Sequence, residues 1–259
     1  MATFLFDKIV FGPVISRRLG ISLGINLCPG DSKVCSFDCI YCECGRNPRR
    51  GSQNRELPSR KEVKSELDKK LRVMAVEERL PDVITFAGNG EPTLHPDFDG
   101  IIDDTLELRD LWAPAARIAV LSNATMLHRP EVFSALLRID DNIQKLDSAF
   151  EETIRLMNCP HSHFSLRKVV QQLMAFEGHV TIQTMFIRGS YQGKALDNTL
   201  PHEIEAWIDL LKKIKPSMVM IYTIARDTPV ETLEKVSLLQ LKKIARWVES
   251  EGFRVQVSA

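Results

Sequence analysis

Cys35, Cys39 and Cys42 stand in the run Cys35-Ser36-Phe37-Asp38-Cys39-Ile40-Tyr41-Cys42, a C-x3-C-x2-C spacing. Thiolates are metal ligands, and three of them this close can wrap one metal centre from a single loop. A structural zinc site takes four ligands, usually as two separated pairs. An ordinary [4Fe–4S] cluster also takes four thiolates. The flanking Cys28 and Cys44 read as packing or loop residues, and Cys159 is the only other cysteine. No distant second pair exists, so three clustered thiolates could leave one iron open to a small molecule. The plainer alternatives are a structural metal knuckle or thiols without a ligand.

The same run resembles the cluster loop of the radical S-adenosylmethionine (SAM) superfamily, in which the residue before the last cysteine is usually aromatic, as Tyr41 is here. The resemblance implies that Cys35, Cys39 and Cys42 hold three irons of a [4Fe–4S] cluster, in a loop spanning 28–45. The fourth iron would bind the amino and carboxylate groups of SAM. Reductive cleavage would then give methionine and a 5′-deoxyadenosyl radical that takes a hydrogen atom from the substrate. In such an enzyme the cofactor carries the chemistry, and the protein supplies position and exclusion of water.

Gly88-Asn89-Gly90-Glu91-Pro92 follows the second expected strand, where the superfamily places its "GGE" segment. The resemblance implies that Gly88, Asn89, Gly90 and Glu91 meet the methionine ammonium, a charge-assisted pairing. By itself the segment is a tight strand-to-helix turn, and it is not a dinucleotide-binding G-x-G-x-x-G. Ser122 and Asn123 end the third strand and are further cofactor candidates; an Asn-containing turn is the alternative. Lys145 and Asp147 share one face of the fourth strand by alternation, so they mark a polar pocket or an internal salt bridge. Gln183 and Thr184 on the fifth strand and Tyr222 on the sixth are further candidates, as is Arg226 beyond it.

Residues 12–27, with the cysteine run and Tyr222-Thr-Ile-Ala-Arg226-Asp-Thr-Pro229, resemble the superfamily group related to the wyosine-synthesis enzymes, which modify a guanosine of transfer RNA. Arg17 and Arg18 in this opening are placed to bind a carboxylate or phosphate, or else to brace the barrel against its helices. No second set of spaced cysteines and no preceding flavodoxin-like domain are read here, which sets the chain apart from those enzymes. Glycyl-radical-enzyme activases are a second small-barrel group, but Glu43-Cys44-Gly45 stands where they carry His-Asn-Pro. A non-catalytic iron–sulfur or zinc module is the reading from another class.

These residues need a scaffold. Strand-like segments alternate with helical ones from residue 21 to the end. Strands are expected at 21–27, 82–87, 117–121, 142–147, 180–187, 218–224 and 253–257. Helices are expected at 59–76, 97–112, from Pro130, 151–157, 165–176, 203–215 and 237–251. Ser59 with Glu62, and Ser237 with Gln240, have the capping-box pattern. Six βα units in series require a parallel sheet with helical crossovers. The resemblance makes this a single-domain α/β chain, 1–259, on a partial (β/α)6 TIM-like barrel. In such sheets chemistry gathers at the carboxyl ends of the strands, so the segments just after each strand matter most.

Composition agrees with one folded domain of 259 residues: hydrophobic residues make up 44% and charged ones 26%, which excludes a largely disordered chain. Lys+Arg 34 balance Asp+Glu 34, against a generally basic nucleic-acid binder. No apolar run reaches the length of a membrane span and no signal peptide is read, so the expected compartment is the cytoplasm, where thiols stay reduced. A flavodoxin or ferredoxin is the expected electron donor. The substrate is expected to be a protein or RNA that closes a bare barrel mouth. Residues 46–72, including Arg46, Arg49, Arg50, Arg55, Arg60 and Lys61, carry a net positive charge that fits RNA phosphates or a solvated helix face. Asn158-Cys159-Pro160-His161-Ser162-His163 reads as a plain loop, and His95 as a capping or packing residue.

Overall fold

The periodicities of the chain turn into the elements they predict, and the order of those elements rolls the sheet. The computed structural model describes residues 4–16, 18–48, 56–161 and 164–259. Arg17, Arg49, Arg50, Arg55, Ser162 and His163 lie outside the described residues. In chain order the elements are β1 (Val10–Ser16), β2 (Gly20–Ile25), α1 (Arg60–Val76), β3 (Val83–Phe86), α2 (Phe98–Trp112), β4 (Arg117–Ser122) and α3 (Pro130–Leu136). There follow β5 (Asp141–Lys145), α4 (Glu151–Asn158), α5 (Leu166–Met174), β6 (Thr181–Met185), β7 (Ile187–Tyr191), β8 (Lys194–Asp197) and α6 (Pro201–Ile214). The last are β9 (Met218–Tyr222), β10 (Leu233–Lys235), α7 (Leu238–Ser250) and β11 (Val255–Ser258).

The main sheet has the order β1-β2-β3-β4-β5-β6-β9-β11. Every pairing from β2 to β11 is parallel, and β1 runs antiparallel on its edge. Spatial order follows chain order without a reversal. Right-handed crossovers then place every helix on one face, and strand twist curls the sheet around the other. The result is a single-domain α/β half-barrel. Gln256 of β11 donates to the Arg18 carbonyl at 2.9 Å, bringing the last strand back toward the β1–β2 turn.

Alternation along the strands divides the two faces. Ile84 and Phe86 of β3 point outward and join Leu67 and Leu71 of α1 and Phe98 and Ile101 of α2 in the main core. Val83 points inward and packs with Leu19, Ala119, Ile143 and Met220 as the barrel floor. Both faces are covered, so all four residues of β3 are buried. Helix α1 begins on the capping box anticipated from sequence: Ser59 accepts from the Glu62 amide, and Glu62 reaches back to Ser59. Such a cap contributes about 1 kcal/mol. Ser237 caps α7 through the Gln240 amide.

Two features differ from the sequence reading. The strand expected at 180–187 ends at Met185, and β7 then pairs with β8 and β10 in a separate antiparallel sheet. Gln192 and Gly193 between β7 and β8 both have positive φ, 51° and 74°, as a two-residue hairpin of the primed kind requires. The basic stretch is also answered within the fold. Arg60 and Lys64 pair with Asp104 of α2, Lys64 also with Glu107, and Arg72 with Asp68. Arg46 donates to the Tyr191 hydroxyl and the Asp38 carbonyl. Of the described basic residues here, Arg60, Lys64 and Arg72 thus form part of a charged helix face, and Arg46 braces the cysteine loop. Among the described residues no helix is long and apolar enough to cross a membrane.

Candidate cofactor and radical site

Loop 28–45 leaves β2 and returns across the carboxyl ends of the strands, and three anchors hold it there. The first is the turn after β3. The Val34 amide donates to the Asn89 carbonyl and the Glu91 amide to the Val34 carbonyl, each at 2.9 Å. This pairing needs a glycine: a Cβ at Gly90 would stand 1.8 Å from the Val34 oxygen. The second anchor is the end of α4, whose last carbonyls have no intrahelical partner. The Ile40 amide donates to Met157 and the Asp38 amide to Asn158. The third is apolar. Phe37, Ile40 and Tyr41 pack with Met157, Met185, Ile187 and Leu196.

A cavity of about 220 Å³ opens among these parts, lined by Cys35, Cys39, Tyr41, Cys42, Gly88, Gly90, Glu91, Ser122, Asn123, Lys145, Gln183 and Tyr222, and also by Lys33 and Arg18. Residues from seven separate segments therefore meet at one place. Among the described residues no three side chains converge closely enough to hold a single metal ion. The three thiols line a cavity instead, an arrangement that suits a group of several atoms such as a cluster better than one zinc ion.

The thiols sit in opposed fields. Burial pushes Cys35 up, and Cys39 up to about 11. Cys42 is drawn down to about 5 by hydrogen bonding to Cys44, with Lys33 helping, and Cys44 moves up correspondingly. Lys33, which the sequence reading passed over, has a side chain only 2% exposed. Its ammonium donates to the Gly45 carbonyl at 3.0 Å and to Asp38 at 3.3 Å. Burial alone would lower it, but the three cysteines and Asp38 hold it above the usual lysine range. Nothing in Ser32-Lys33-Val34 distinguishes this lysine from a solvated one.

Glu91 is buried, and burial raises its carboxyl above the usual range despite its partners. One oxygen accepts from the Thr93 amide and hydroxyl, the other from the Asn123 amide at 2.7 Å. It ties the β3 turn to the β4 tip, and the Ser122 side chain bonds to it as well. Asn123 donates to Ser36 at 2.8 Å and reaches Cys35 Sγ at 3.5 Å. The Ser122 hydroxyl accepts from the Ala124 amide. Asn89 is placed differently from the expectation of a cofactor contact. Its side chain is fully used on the Phe6 backbone and the Pro29 carbonyl, away from the cavity.

Lys145 and Asp147 do share a face, 3.7 Å apart. Lys145 donates to the Tyr41 and Tyr222 hydroxyls, each at 3.1 Å. Tyr41 donates to Asp147, and Asn158 donates to both at 2.9 and 2.7 Å. Burial and the Asp147 charge hold Tyr41 well above its ordinary range, so it remains a phenol. Asp147 itself lies beneath the cavity wall, with a side chain at 0% exposure. Gln183 accepts from Arg18 at 2.9 Å. Thr184 turns outward and donates to the Leu146 carbonyl. Arg226 stands outside this cavity, paired with Glu43 at 2.6 Å. Cys28 and Cys44 contact the Val34 and Gly88 carbonyls. Cys159 contacts Leu156, and His95 bonds Pro58 and Asp97 as a packing residue.

Comparison with known proteins finds a family and a shared fold. A family model described as the Radical SAM superfamily matches residues 31–195. The chain is 30% identical over 247 residues to a Brachyspira hyodysenteriae protein named GTPase Obg, covering 94% of this chain and 34% of that protein. The chain thus spans about a third of that relative's length. It is 30% identical over 244 residues to UPF0026 protein MJ1312 of Methanocaldococcus jannaschii, covering 91% of this chain and 70% of that one. Among solved structures, a radical SAM methyltransferase from Sphaerobacter thermophilus superposes with a TM-score of 0.67 at 14% identity, over 92% of this chain and 65% of that one. Archaeal TYW1 superposes with a TM-score of 0.52 at 11% identity, over 88% and 71%. At these identities the structural likeness is one of fold.

Proposed function

This chain belongs to the radical SAM superfamily, and from that premise we propose that it is an enzyme carrying a [4Fe–4S] cluster on Cys35, Cys39 and Cys42 with SAM beside it. When bound, the pair supplies reductive cleavage of the sulfonium to methionine and a 5′-deoxyadenosyl radical that abstracts hydrogen from a substrate. The single observation that carries this reading is the shared cavity: the three cysteines, Gly88, Gly90, Glu91, Ser122 and Asn123 line one space although 88 residues separate Cys35 from Asn123.

The chain's own residues have defined parts. Lys33 offers a buried positive charge to three thiolates, which would otherwise repel one another in a medium of low polarity. The β3 turn presents backbone groups and the buried Glu91 carboxyl to an ammonium. Asn123 fixes the Cys35 side of the loop. The packed layer under Phe37, Ile40 and Tyr41 excludes water from one side. Lys145, held between Tyr41 and Tyr222, forms the polar wall facing the substrate space.

A one-electron donor such as a flavodoxin or ferredoxin and a cytoplasmic setting belong to this proposal, since all six cysteines are free thiols. Relatives named UPF0026 point to another branch than the wyosine-related group, so a transfer-RNA guanosine is not carried over. The internal pairing of Arg60, Lys64 and Arg72 also weakens an RNA reading. The substrate space opens to solvent past Ile15, which is 91% exposed. A protein or other large molecule could present one group there.

The test is anaerobic reconstitution with iron and sulfide, followed by dithionite and SAM. About four irons per chain and released 5′-deoxyadenosine are expected. One zinc and intact SAM would establish a non-catalytic metal module instead.

A further inference from the structure

A second and larger cavity, about 610 Å³, shares Arg18, Ala87 and Leu121 with the cofactor cavity. It lies inside the half-barrel mouth, and its volume suits a metabolite-sized group. Resting on the proposed function, we propose that this chamber takes the substrate, and that the group it takes is an apolar body bearing a carboxylate or phosphate held by Arg18.

Arg18 stands at the junction of the two spaces. Its guanidinium lies 4.7 Å from the Tyr222 ring centre and spends one donor on Gln183. A guanidinium has five N–H donors, and among the described residues no carboxylate pairs with this one. Of the other cations lining the two spaces, Lys145 faces Asp147 and Arg226 faces Glu43, while Lys235, also without an ion pair among the described residues, is exposed to solvent. A half-buried guanidinium facing a cavity without a counter-charge is costly to desolvate, and its planar fork matches carboxylate or phosphate oxygens. The missing charge is then the ligand's.

Phenylalanines lining the same chamber supply an apolar wall. Phe6 stacks on Phe11 with ring centres 3.5 Å apart, and Phe4 meets Phe6 edge-on. Phe11 occupies the space left by Gly24, where a Cβ would stand 2.1 Å from its ring. A ligand spanning from this wall to Arg18 ends at the boundary shared with the cofactor cavity, which is where a hydrogen atom would have to be removed.

The experiment uses the anaerobically reconstituted chain and three probes of similar size: phenyl phosphate, phenylacetate and phenethyl alcohol, titrated by calorimetry. At least one anionic probe is expected to bind saturably and at least about 10-fold tighter than the neutral alcohol. Arg18→Gln is expected to abolish that preference. Added salt is expected to weaken the anion and leave the alcohol unchanged, a readout that stands even if the variant does not fold. Which anion wins separates phosphate from carboxylate. Equal binding of the alcohol, no binding of either anion, or an unchanged preference in Arg18→Gln would overturn the proposal. So would displacement of the anion by SAM, which would assign Arg18 to the cofactor's own carboxylate. Wild-type protein that fails to cleave SAM would overturn the proposed function alone, because probe binding is read independently.

Discussion

The Lys33 ammonium reaches Asp38 across 3.3 Å in the middle of the cysteine loop. The contact links a buried cation to a carboxylate that itself organises the loop, since Asp38 also accepts from the Asn47 amide and side chain at 2.8 Å. Asn47 in turn accepts from the Cys35 amide at 2.9 Å. One charge pair thus sets the backbone path on both sides of the cysteine run.

Lys33→Met keeps the side-chain length and removes the charge. The thiolates then lose the one cation that acts on all three of them, and iron retention against a chelator is expected to weaken roughly 10–100-fold, as for other residues that support metal ligands. The reduction potential of any cluster formed should become more negative, because reduction adds negative charge. Iron analysis after chelation and a potentiometric titration read the two effects. Unchanged retention and potential would remove Lys33 from the site.

Asp38→Asn tests the same pair through pH. Burial alone would raise the Asp38 carboxyl, but the Asn47 amide and the Lys33 charge outweigh it and hold it below its usual value. A depressed folded value contributes stability above the unfolded value and loses it as pH falls through the folded one. At pH 7 the variant should be less stable by about 1 kcal/mol, after discounting for solvent screening. The gap should close below about pH 4. Urea unfolding of the metal-free, reduced chain from pH 3 to pH 8 measures it, and a gap independent of pH would refute the charge argument.

How much of this was legible follows from what each residue needs. The βα series and the Ser59 cap were readable because amphipathic period and capping are local. That Cys35, Cys39, Cys42, Gly88, Gly90 and Glu91 would gather was readable because their residue types stand at short spacing after two neighbouring strands. Asn89 sits inside the same motif, and its side chain serves Phe6 and Pro29, which no local pattern signals. The acidic partners of Lys64 in the basic stretch, Asp104 and Glu107, were not legible because they lie some 40 residues away on α2. Lys33 and Asn158 carried no local signal, since their roles arise only when loop, β5 and α4 meet. The β7–β8 hairpin was signalled by Gln192-Gly193 but hidden behind an apolar run continuous with β6.

Asn158 is the clearest case of such a tertiary role. Its amide nitrogen lies 2.7 Å from Asp147, 2.9 Å from Tyr41 and 3.4 Å from Cys39 Sγ. Asn158→Leu removes a donor from a carboxylate with no access to water, which costs about 2–3 kcal/mol. The denaturation midpoint of the metal-free chain should fall accordingly. A loss below about 0.5 kcal/mol, the level of an ordinary surface change, would show that Tyr41, Lys145 and the Met185 amide suffice for Asp147.

Gly90 and Gly193 give a matched pair that separates close approach from backbone conformation. A Cβ at Gly90 would meet the Val34 oxygen at 1.8 Å and Cys28 Sγ at 2.9 Å, whereas one at Gly193 meets nothing within 4 Å. Gly193→Ala therefore pays only for a left-handed backbone, about 1 kcal/mol. Gly90→Ala must push the loop off the β3 turn and break the two hydrogen bonds between Val34, Asn89 and Glu91. It is expected to exceed the Gly193 loss by roughly 1–3 kcal/mol. Because the displaced segment carries Cys35, Gly90→Ala should also bind less iron on reconstitution, while Gly193→Ala binds the wild-type amount. Equal stability losses and equal iron in the two variants would mean that the turn after β3 does not hold the cysteine loop in place.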